Sequence, residues 1–340
     1  MSKFSKKLFR CWHPVAYGRD VALDTPYSST LLDEALVLWR TADGVPHAMQ
    51  DLCIHRGTAL SLGRVEDDCL ICPYHAWHYN RDGLCVKIPQ NADTAIPSKA
   101  RVPRYRVVER YGLIWAALED PVFPLPDVPE LENEAWKLVL TGPFDWHSDA
   151  SRQIENFTDF GHFPWVHPGL LGEPNRPIVP THKVETHEHV LHYTVIRPEA
   201  ANTEDFPVFA NEEVEQHERS SRYELHLPYT IALRLGWGGE RGMVYLFAGQ
   251  PIGEQRCRGY CVIGRNYNFD QPDHVLQDFE KVIFSQDQRV VESQRPEQVP
   301  FDLADELHLK FDAVAISYRR AMQDQGLSYD HQRDRSDEEA

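Results

Sequence analysis

Two short runs, "CIHRG" at Cys53 to Gly57 and "CPYHAW" at Cys72 to Trp77, constrain this chain more than any other feature. Each pairs a thiol with an imidazole: Cys53-x-His55, sixteen residues, then Cys72-x2-His75. Two cysteines and two histidines in two loops can hold a metal centre, and sulfur with imidazole suits iron or zinc. Zinc motifs usually gather their cysteines in one pair and their histidines in another. Here each loop supplies one of each, which fits a dinuclear 2Fe–2S cluster with two thiolates on one iron and two imidazoles on the other. Such a cluster is easier to reduce than an all-cysteine one, so the pair of loops reads as an electron relay. Cys69 and His78 lie close by in sequence but lack matching partners, and are expected as packing or surface residues.

At 340 residues the chain has room for about two domains, each with its own core. The balance of 35 basic and 52 acidic residues, net −17, argues against nucleic acid or an anionic membrane as partner. The start has no apolar run of signal-peptide length, and no stretch approaches the roughly 20 apolar residues that span a bilayer. Seven cysteines scattered through the chain do not form a disulfide framework, so a reducing, cytoplasmic location is expected.

From Ala35 to Leu118 the pattern is of short strands between turn signals, with Asp82-Gly83 as a tight turn after the second loop. Residues 1–120 are therefore expected to form a small all-β domain with both Cys/His loops at hairpin tips. A proline-rich link begins at Asp120. Residues 121–325 mix strands (near His189, Tyr229, Met243 and Tyr260) with helices expected over Asp273–Gln294 and Leu303–Met322, an α+β arrangement. In the first helix the expected apolar stripe is Val275, Phe279, Ile283 and Val290. "GWGGERG" from Gly236 reads as a hairpin, because no helix follows it. Residues 326–340 are expected to be a polar, mobile tail.

A second concentration of chemistry is "QIENFTDFGHFPWVHPG" from Gln153. Asn156, Asp159 and His162 are spaced to share one helix face, Pro164 would break or kink that helix, and His167 would lie in the turn beyond. With a carboxylate from elsewhere, His162 and His167 would complete a 2-His-1-carboxylate triad of the kind that holds oxygen-activating Fe(II). The helix after Asp273 offers Asp287 on its apolar stripe, and Glu280 two turns earlier on nearly the same face; both remain open on periodicity alone. His187, His189 and His192 fall on an expected strand, the first two sharing a face, and are read as solvated.

Taken together these motifs resemble the terminal oxygenases of Rieske non-haem iron systems over nearly the whole chain. "ENFTDFGHFPWVHPG" and "FSQDQRVVESQRP" are similar to stretches of bacterial methylxanthine N-demethylases. "AISYRRAMQDQGLSY" and "VPRYRVVERYGLIW" are similar to saxitoxin-pathway hydroxylases and aromatic O-demethylases. The family spacing of an Asp followed five residues later by Glu picks Asp287, with Glu292, over Glu280. Ala76 departs from the glycine usual after the second cluster histidine.

The resemblance implies a Rieske 2Fe–2S cluster on Cys53, His55, Cys72 and His75, and mononuclear Fe(II) on His162, His167 and Asp287. It implies a catalytic domain of helix-grip type and a head-to-tail homotrimer. In that ring Asp159 would bridge His75 of one subunit and His162 of the next, with Asn156 near the iron. The implied activity is monooxygenation, as hydroxylation or oxidative N- or O-demethylation, of a small cyclic or heteroaromatic substrate. It would use O2 and electrons from NADH or NADPH through a reductase, with or without a ferredoxin. The alternatives are arene cis-dihydroxylation, or, from another class, a non-catalytic iron–sulfur carrier or metal-binding protein. Tyr229, Trp237 and Tyr245 could line either core or substrate pocket.

Overall fold

The computed structural model describes residues 4–91, 93–198, 218–236 and 240–328. Of the expected tail at 326–340, residues 329–340 lie outside the described residues, as does Trp237; Leu327, placed in that tail, is instead buried. The chain divides into two compact units: Phe9–Pro124, and Leu125 onward together with residues 4–8. The division falls inside the proline-rich link. The first residues belong with the second unit, where Ser5 Oγ donates to the Gly326 carbonyl at 2.7 Å.

The first unit is all β. Its strands are β1 (His13–Tyr17), β2 (Tyr27–Leu31), β3 (Glu34–Arg40), β4 (Pro46–Gln50) and β5 (Arg64–Glu66). There follow β6 (Cys69–Ile71), β7 (His78–Tyr79), β8 (Cys85–Lys87), β9 (Arg104–Arg110) and β10 (Leu113–Ala117). Six of them form an antiparallel sheet in the order β1-β10-β9-β4-β3-β2, and four form a smaller sheet, β5-β6-β7-β8. The second Cys/His loop is the tip of the β6–β7 hairpin, as expected. The first is not a hairpin tip: it carries the chain from β4 of the large sheet towards β5 of the small one. Asn80 organises the turn after β7, its side-chain oxygen accepting from Asp82 N and Leu84 N, both at 3.0 Å.

The second unit has strands β11 (Lys137–Trp146), β12 (Glu185–His187), β13 (Val190–Pro198), β14 (Glu218–His226), β15 (Thr230–Gly236), β16 (Gly242–Gly253) and β17 (Arg256–Arg265). Its helices are α1 (Ala150–Thr158), α2 (Phe163–Val166), α3 (Asp273–Val291) and α4 (Ala313–Asp324). The strands make one antiparallel sheet, β11-β17-β16-β15-β14-β13-β12. Phe284 of α3 stacks on Phe157 of α1 and on Phe247 of β16, so both helices cover the same face. Gly259 of β17 permits this approach: a Cβ there would meet the Phe247 ring at 2.8 Å and Gln153 Nε2 at 3.0 Å. No helix among the described residues is long and apolar enough to cross a membrane.

Three local expectations are corrected. The buried stripe of α3 is Leu276, Phe279, Glu280, Ile283, Phe284, Asp287 and Val291; Val275 is half-buried and Val290 is exposed, so the stripe is rotated on the helix. The last α-helix starts at Ala313 rather than Leu303: Leu303–Asp305 forms only a single 3-10 turn that ends at Glu306, which is extended and held by Arg152 at 2.8 Å and Arg319 at 2.6 Å. His187 and His189 do not share a strand face, since the chain turns at Glu188, where φ is +53°.

Candidate metal centres

Each Cys/His loop is folded by its own backbone before any ligand is considered. Cys53 N donates to Thr58 O at 2.8 Å and Gly57 N to Cys53 O at 2.9 Å. The second loop repeats this, with Cys72 N to Trp77 O at 2.9 Å and Ala76 N to Cys72 O at 3.1 Å. Gly57 and Ala76 both take left-handed conformations, φ +70° and +54°. Glycine does so freely, whereas alanine pays roughly 1–2 kcal/mol, which gives the departure at Ala76 its physical cost.

The loops bring the four expected residues together. The thiols of Cys53 and Cys72 are buried in a core with Trp39, Met49, Leu60 and Tyr79. Tyr79 Oη lies 3.1 Å from Cys53 Sγ. The rings of His55 and His75 meet edge-on at 4.5 Å between centroids, and His55 stacks on Trp77 at 4.4 Å. Burial pushes the Cys72 thiol up, and the adjoining Cys53 adds to that, while backbone N–H groups of Tyr74 and His75 pull it down. His55 Nδ1 is buried without a hydrogen-bond partner. Two thiols side by side, two imidazoles side by side and an orphaned ring nitrogen fit a cluster with unlike irons. Cys69 and His78 instead sit half-buried on β6 and β7.

In the second unit α1 begins at Asp149, whose side chain accepts from Ser151 N at 2.8 Å. It ends at Thr158, whose hydroxyl bonds back to the carbonyls of Ile154 and Glu155. Asp159 is extended and its carboxylate accepts from Gly161 N at 2.8 Å. Asn156, Asp159 and His162 therefore do not share a helix face. Pro164 does not break a helix either: it sits in the first turn of α2, where its missing N–H costs nothing. The turn and the short helix together return His167 beside His162, their ring centroids 5.2 Å apart.

α3 supplies the carboxylate between them. Ligand atoms of His162, His167 and Asp287 all lie within 4.8 Å of one another. Asp287 Oδ1 is 3.3 Å from His162 Nε2 and 2.8 Å from His167 Nε2. Neither Nε2 makes a hydrogen bond of good geometry, and both are buried. The opposite ring nitrogens are engaged: His162 Nδ1 lies 3.1 Å from Asp159 Oδ2, and His167 Nδ1 lies 2.7 Å from Gln286 Oε1. With Nδ1–H donating outward, each Nε2 presents its lone pair to the shared point, the tautomer a metal requires. Burial disfavours charge on His162, yet hydrogen bonds and charge from Asp159 and Asp287 outweigh it and raise the imidazole to about 9. Burial likewise opposes the Asp287 carboxylate, but both histidines lower it. The trio is built around a positive charge and fits a divalent iron with open positions.

Asn156 Nδ2 donates to Asp287 Oδ1 at 3.3 Å. Glu280 is not among these atoms. It lies in a cavity beside the trio, where burial and the charge of Asp287 raise its carboxyl to about 8 against the hydrogen bond from Tyr245. Tyr245 lines the same cavity, whereas Tyr229 does not and is buried elsewhere in the unit.

Residues 146–325 match the family model "Vanillate O-demethylase oxygenase C-terminal domain", and residues 11–106 match "Rieske [2Fe-2S] domain". The chain belongs to the Rieske non-haem iron oxygenases. This oxygenase is 32% identical to the methylxanthine N1-demethylase NdmA of Pseudomonas putida, across 91% of its own chain and 86% of that protein. It is 29% identical to the methylxanthine N3-demethylase NdmB of the same organism, across 93% and 89%. The structure of NdmA with caffeine superposes with a TM-score of 0.83 at 30% identity, covering 93% of this chain and 90% of that one. The enzyme is thus an oxidoreductase of a family that combines a Rieske cluster, mononuclear iron and reductase-supplied electrons.

Four partners of these centres were not found in the sequence. Trp77 and Tyr79 back the cluster loops, Gln286 turns His167, and Arg197 faces the cavity. Gln286 carried a local signal as the neighbour of Asp287, and Trp77 as the last residue of the second Cys/His run. The others depend on which strands pair.

Proposed function

We propose that this chain is a terminal oxygenase catalysing monooxygenation of a small aromatic or heteroaromatic substrate, by hydroxylation or oxidative N- or O-demethylation. Cys53, His55, Cys72 and His75 hold the cluster, and His162, His167 and Asp287 hold the mononuclear iron. The observation that carries this reading is the outward tethering of both Nδ1 atoms, which leaves two Nε2 lone pairs and one carboxylate facing one point. When bound, the iron supplies O2 activation and the cluster supplies the electrons for it. The protein's own part is to fix the ligand tautomers, hold Asn156 against Asp287, and exclude water from a cavity walled by Phe157, Phe163, Phe279 and Phe284. Oxidation of an N- or O-methyl carbon yields a hydroxymethyl group that collapses to formaldehyde, whereas a ring or alkyl carbon yields a stable alcohol.

The working unit is a head-to-tail homotrimer, with the cluster of one subunit serving the iron of the next. Exposed apolar side chains flank both centres and call for a cover. Ile54, Leu62 and Tyr74 are exposed near the cluster loops; Leu307 and Phe311 are exposed beside Asp159 and His162. Asp159 already holds His162 Nδ1 with one oxygen and is half open to solvent, which suits it to accept from His75 of a neighbouring subunit. A separate reductase using NADH or NADPH feeds the cluster, and a cytoplasmic location suits seven cysteines without a disulfide.

Elemental and product analysis test the reading together. Three irons and two acid-labile sulfides per chain are expected. With a surrogate reductase, methylated heteroaromatics and methoxybenzoates should give formaldehyde or a stable alcohol. Zinc at the Cys/His loops would sink the cluster assignment, and iron without any oxygenated product would leave only a carrier.

A further inference from the structure

Strand β11 stands at one edge of the seven-stranded sheet and, among the described residues, pairs with β17 alone, so the carbonyls of its free side need partners. Helix α3 supplies two of them. Gln277 Nε2 donates to Leu140 O and Gln288 Nε2 to Asp145 O, each at 3.0 Å. Carbonyls five residues apart on a regular strand point to opposite edges. Between Thr141 and Phe144 the register shifts, three residues of β11 spanning two of β17, so both carbonyls point towards α3. Eleven residues of helix and five of strand each advance about 16 Å, so α3 runs alongside β11 in the same direction and is held at two stations.

The second station is a junction rather than a single bond. Gln288 Nε2 also donates to Glu292 Oε1 at 2.7 Å, and that same oxygen accepts from His147 N at 2.8 Å. His147 follows the end of β11 and stands two residues before Asp149, which caps α1. In turn α1 carries Asn156, which donates to Asp287 Oδ1 at 3.3 Å, and Asp287 is the residue before Gln288. These contacts close a ring, from α3 to the end of β11, through the cap to α1, and from Asn156 back to α3. Apolar packing alone does not set the position of α3 along it. Phe284 stacks on Phe144 at 4.1 Å between centroids, and offset stacks tolerate sliding, whereas hydrogen bonds are directional. Metal–ligand distances tolerate only about 0.2 Å, so a seat that slides would cost affinity.

We propose that Gln288 and Glu292 are positioning residues that fix the lengthwise seat of α3, and through it the aim of Asp287 at the point shared with His162 and His167. Gln288 acts on one side of Asp287 as Gln286 acts on the other: one tethers the helix to the sheet edge, the other turns a histidine. The inference rests on the trio being the iron site, and it adds two residues that are not themselves ligands. Gln277 provides the internal comparison. It makes the same kind of bond to the same strand, but ten residues before Asp287 and outside the ring.

Nitric oxide added to the metal-loaded protein tests this, because the EPR signal of its adduct with the mononuclear iron reports ligand geometry while the oxidised cluster is silent. Glu292→Leu removes the shared acceptor. It should alter that signal and weaken iron binding about tenfold in a chelator competition, with the reduced-cluster EPR signal unchanged. Glu292→Gln keeps an oxygen for both N–H donors and should restore the parent signal. Gln277→Leu should lower the thermal midpoint to a similar degree and leave the nitric oxide signal as in the parent protein. A parent-like signal in Glu292→Leu would overturn the proposal. An equal change in Gln277→Leu would overturn it too, because covering of the sheet edge would then explain both. If Glu292→Leu does not fold, Gln288→Leu leaves Glu292 on His147 N and decides by the same readouts. No mononuclear-iron signal in the parent protein would sink the iron-site reading and this inference with it; a parent signal that the variants leave unmoved counts against the inference alone.

Discussion

His167 is 0% exposed at its side chain and is aimed by Gln286, which stands next to Asp287 on α3. One helix thus supplies both a candidate ligand and the group that orients another. Replacing Gln286 by Leu removes the acceptor for Nδ1–H, and iron affinity is expected to fall about 10–100-fold. Iron content after chelator challenge would show this, with the visible spectrum of the cluster unchanged; full iron retention would refute the role. Asp159 is the other orienting group, and it is half-exposed where His167 is sealed. On the proposed trimer, where Asp159 would bridge two subunits, Asp159→Ala should keep both metals and stop turnover. Near-normal rates with the natural reductase would rule that role out.

At the scale of elements, the cavity wall depends on how β14 and β15 are pinned. Arg234 of β15 lies 3.0 Å from Glu224 of β14 and bonds Glu130 at 2.6 Å. His226, then Arg234, hold the Glu224 carboxyl down to about 2 against burial. A depressed carboxyl stabilises the fold above its usual value of 4.5 and loses that contribution as pH falls towards about 2. Glu224→Gln should therefore cost roughly 1–3 kcal/mol at pH 7, with the difference from the parent protein closing across that acid window. Urea unfolding at several pH values measures it, and a gap independent of pH would contradict the assignment. On the opposite part of the sheet, Gly259 leaves room for Phe247 and for Gln153 of α1. Gly259→Val should cost roughly 1–3 kcal/mol and displace the helix that carries Asn156. A lowered thermal midpoint together with weakened iron binding is expected; an unchanged midpoint would show that α1 does not rest on this contact.

These elements also show what could be read in advance. The strands near Ala35, Tyr229 and Met243 are short apolar runs and the one near His189 alternates, so all four were legible. The α3 stripe was legible in kind but rotated, because Val290 is exposed despite being apolar. The expected helix through Asn156, Asp159 and His162 failed for a local reason with a tertiary outcome. Thr158 and Asp159 both bond their own backbone and end α1, and a spacing rule does not weigh that competition.

At the scale of the whole molecule, the proposed trimer makes exposed apolar residues intelligible. Leu307 is 88% exposed and lines the groove beside Asp159 and His162. Leu307→Asp should shift the assembly to monomer in sedimentation, retain both metals and lower turnover more than tenfold. A monomer that turns over normally would exclude electron transfer between subunits.

By itself the sequence supplied the candidate thiols and imidazoles of both centres, since thiol–imidazole loops and a two-histidine segment are local patterns whose chemistry is carried by residue type. Tertiary structure decided their geometry: Asp287 comes from a helix more than a hundred residues away, and Gln286 sets a tautomer that no spacing encodes. It also decided which residues line the cavity. Arg197 and Arg219 become neighbours only through the register of β13 with β14, and a cation's partner depends on what the fold places within hydrogen-bond reach.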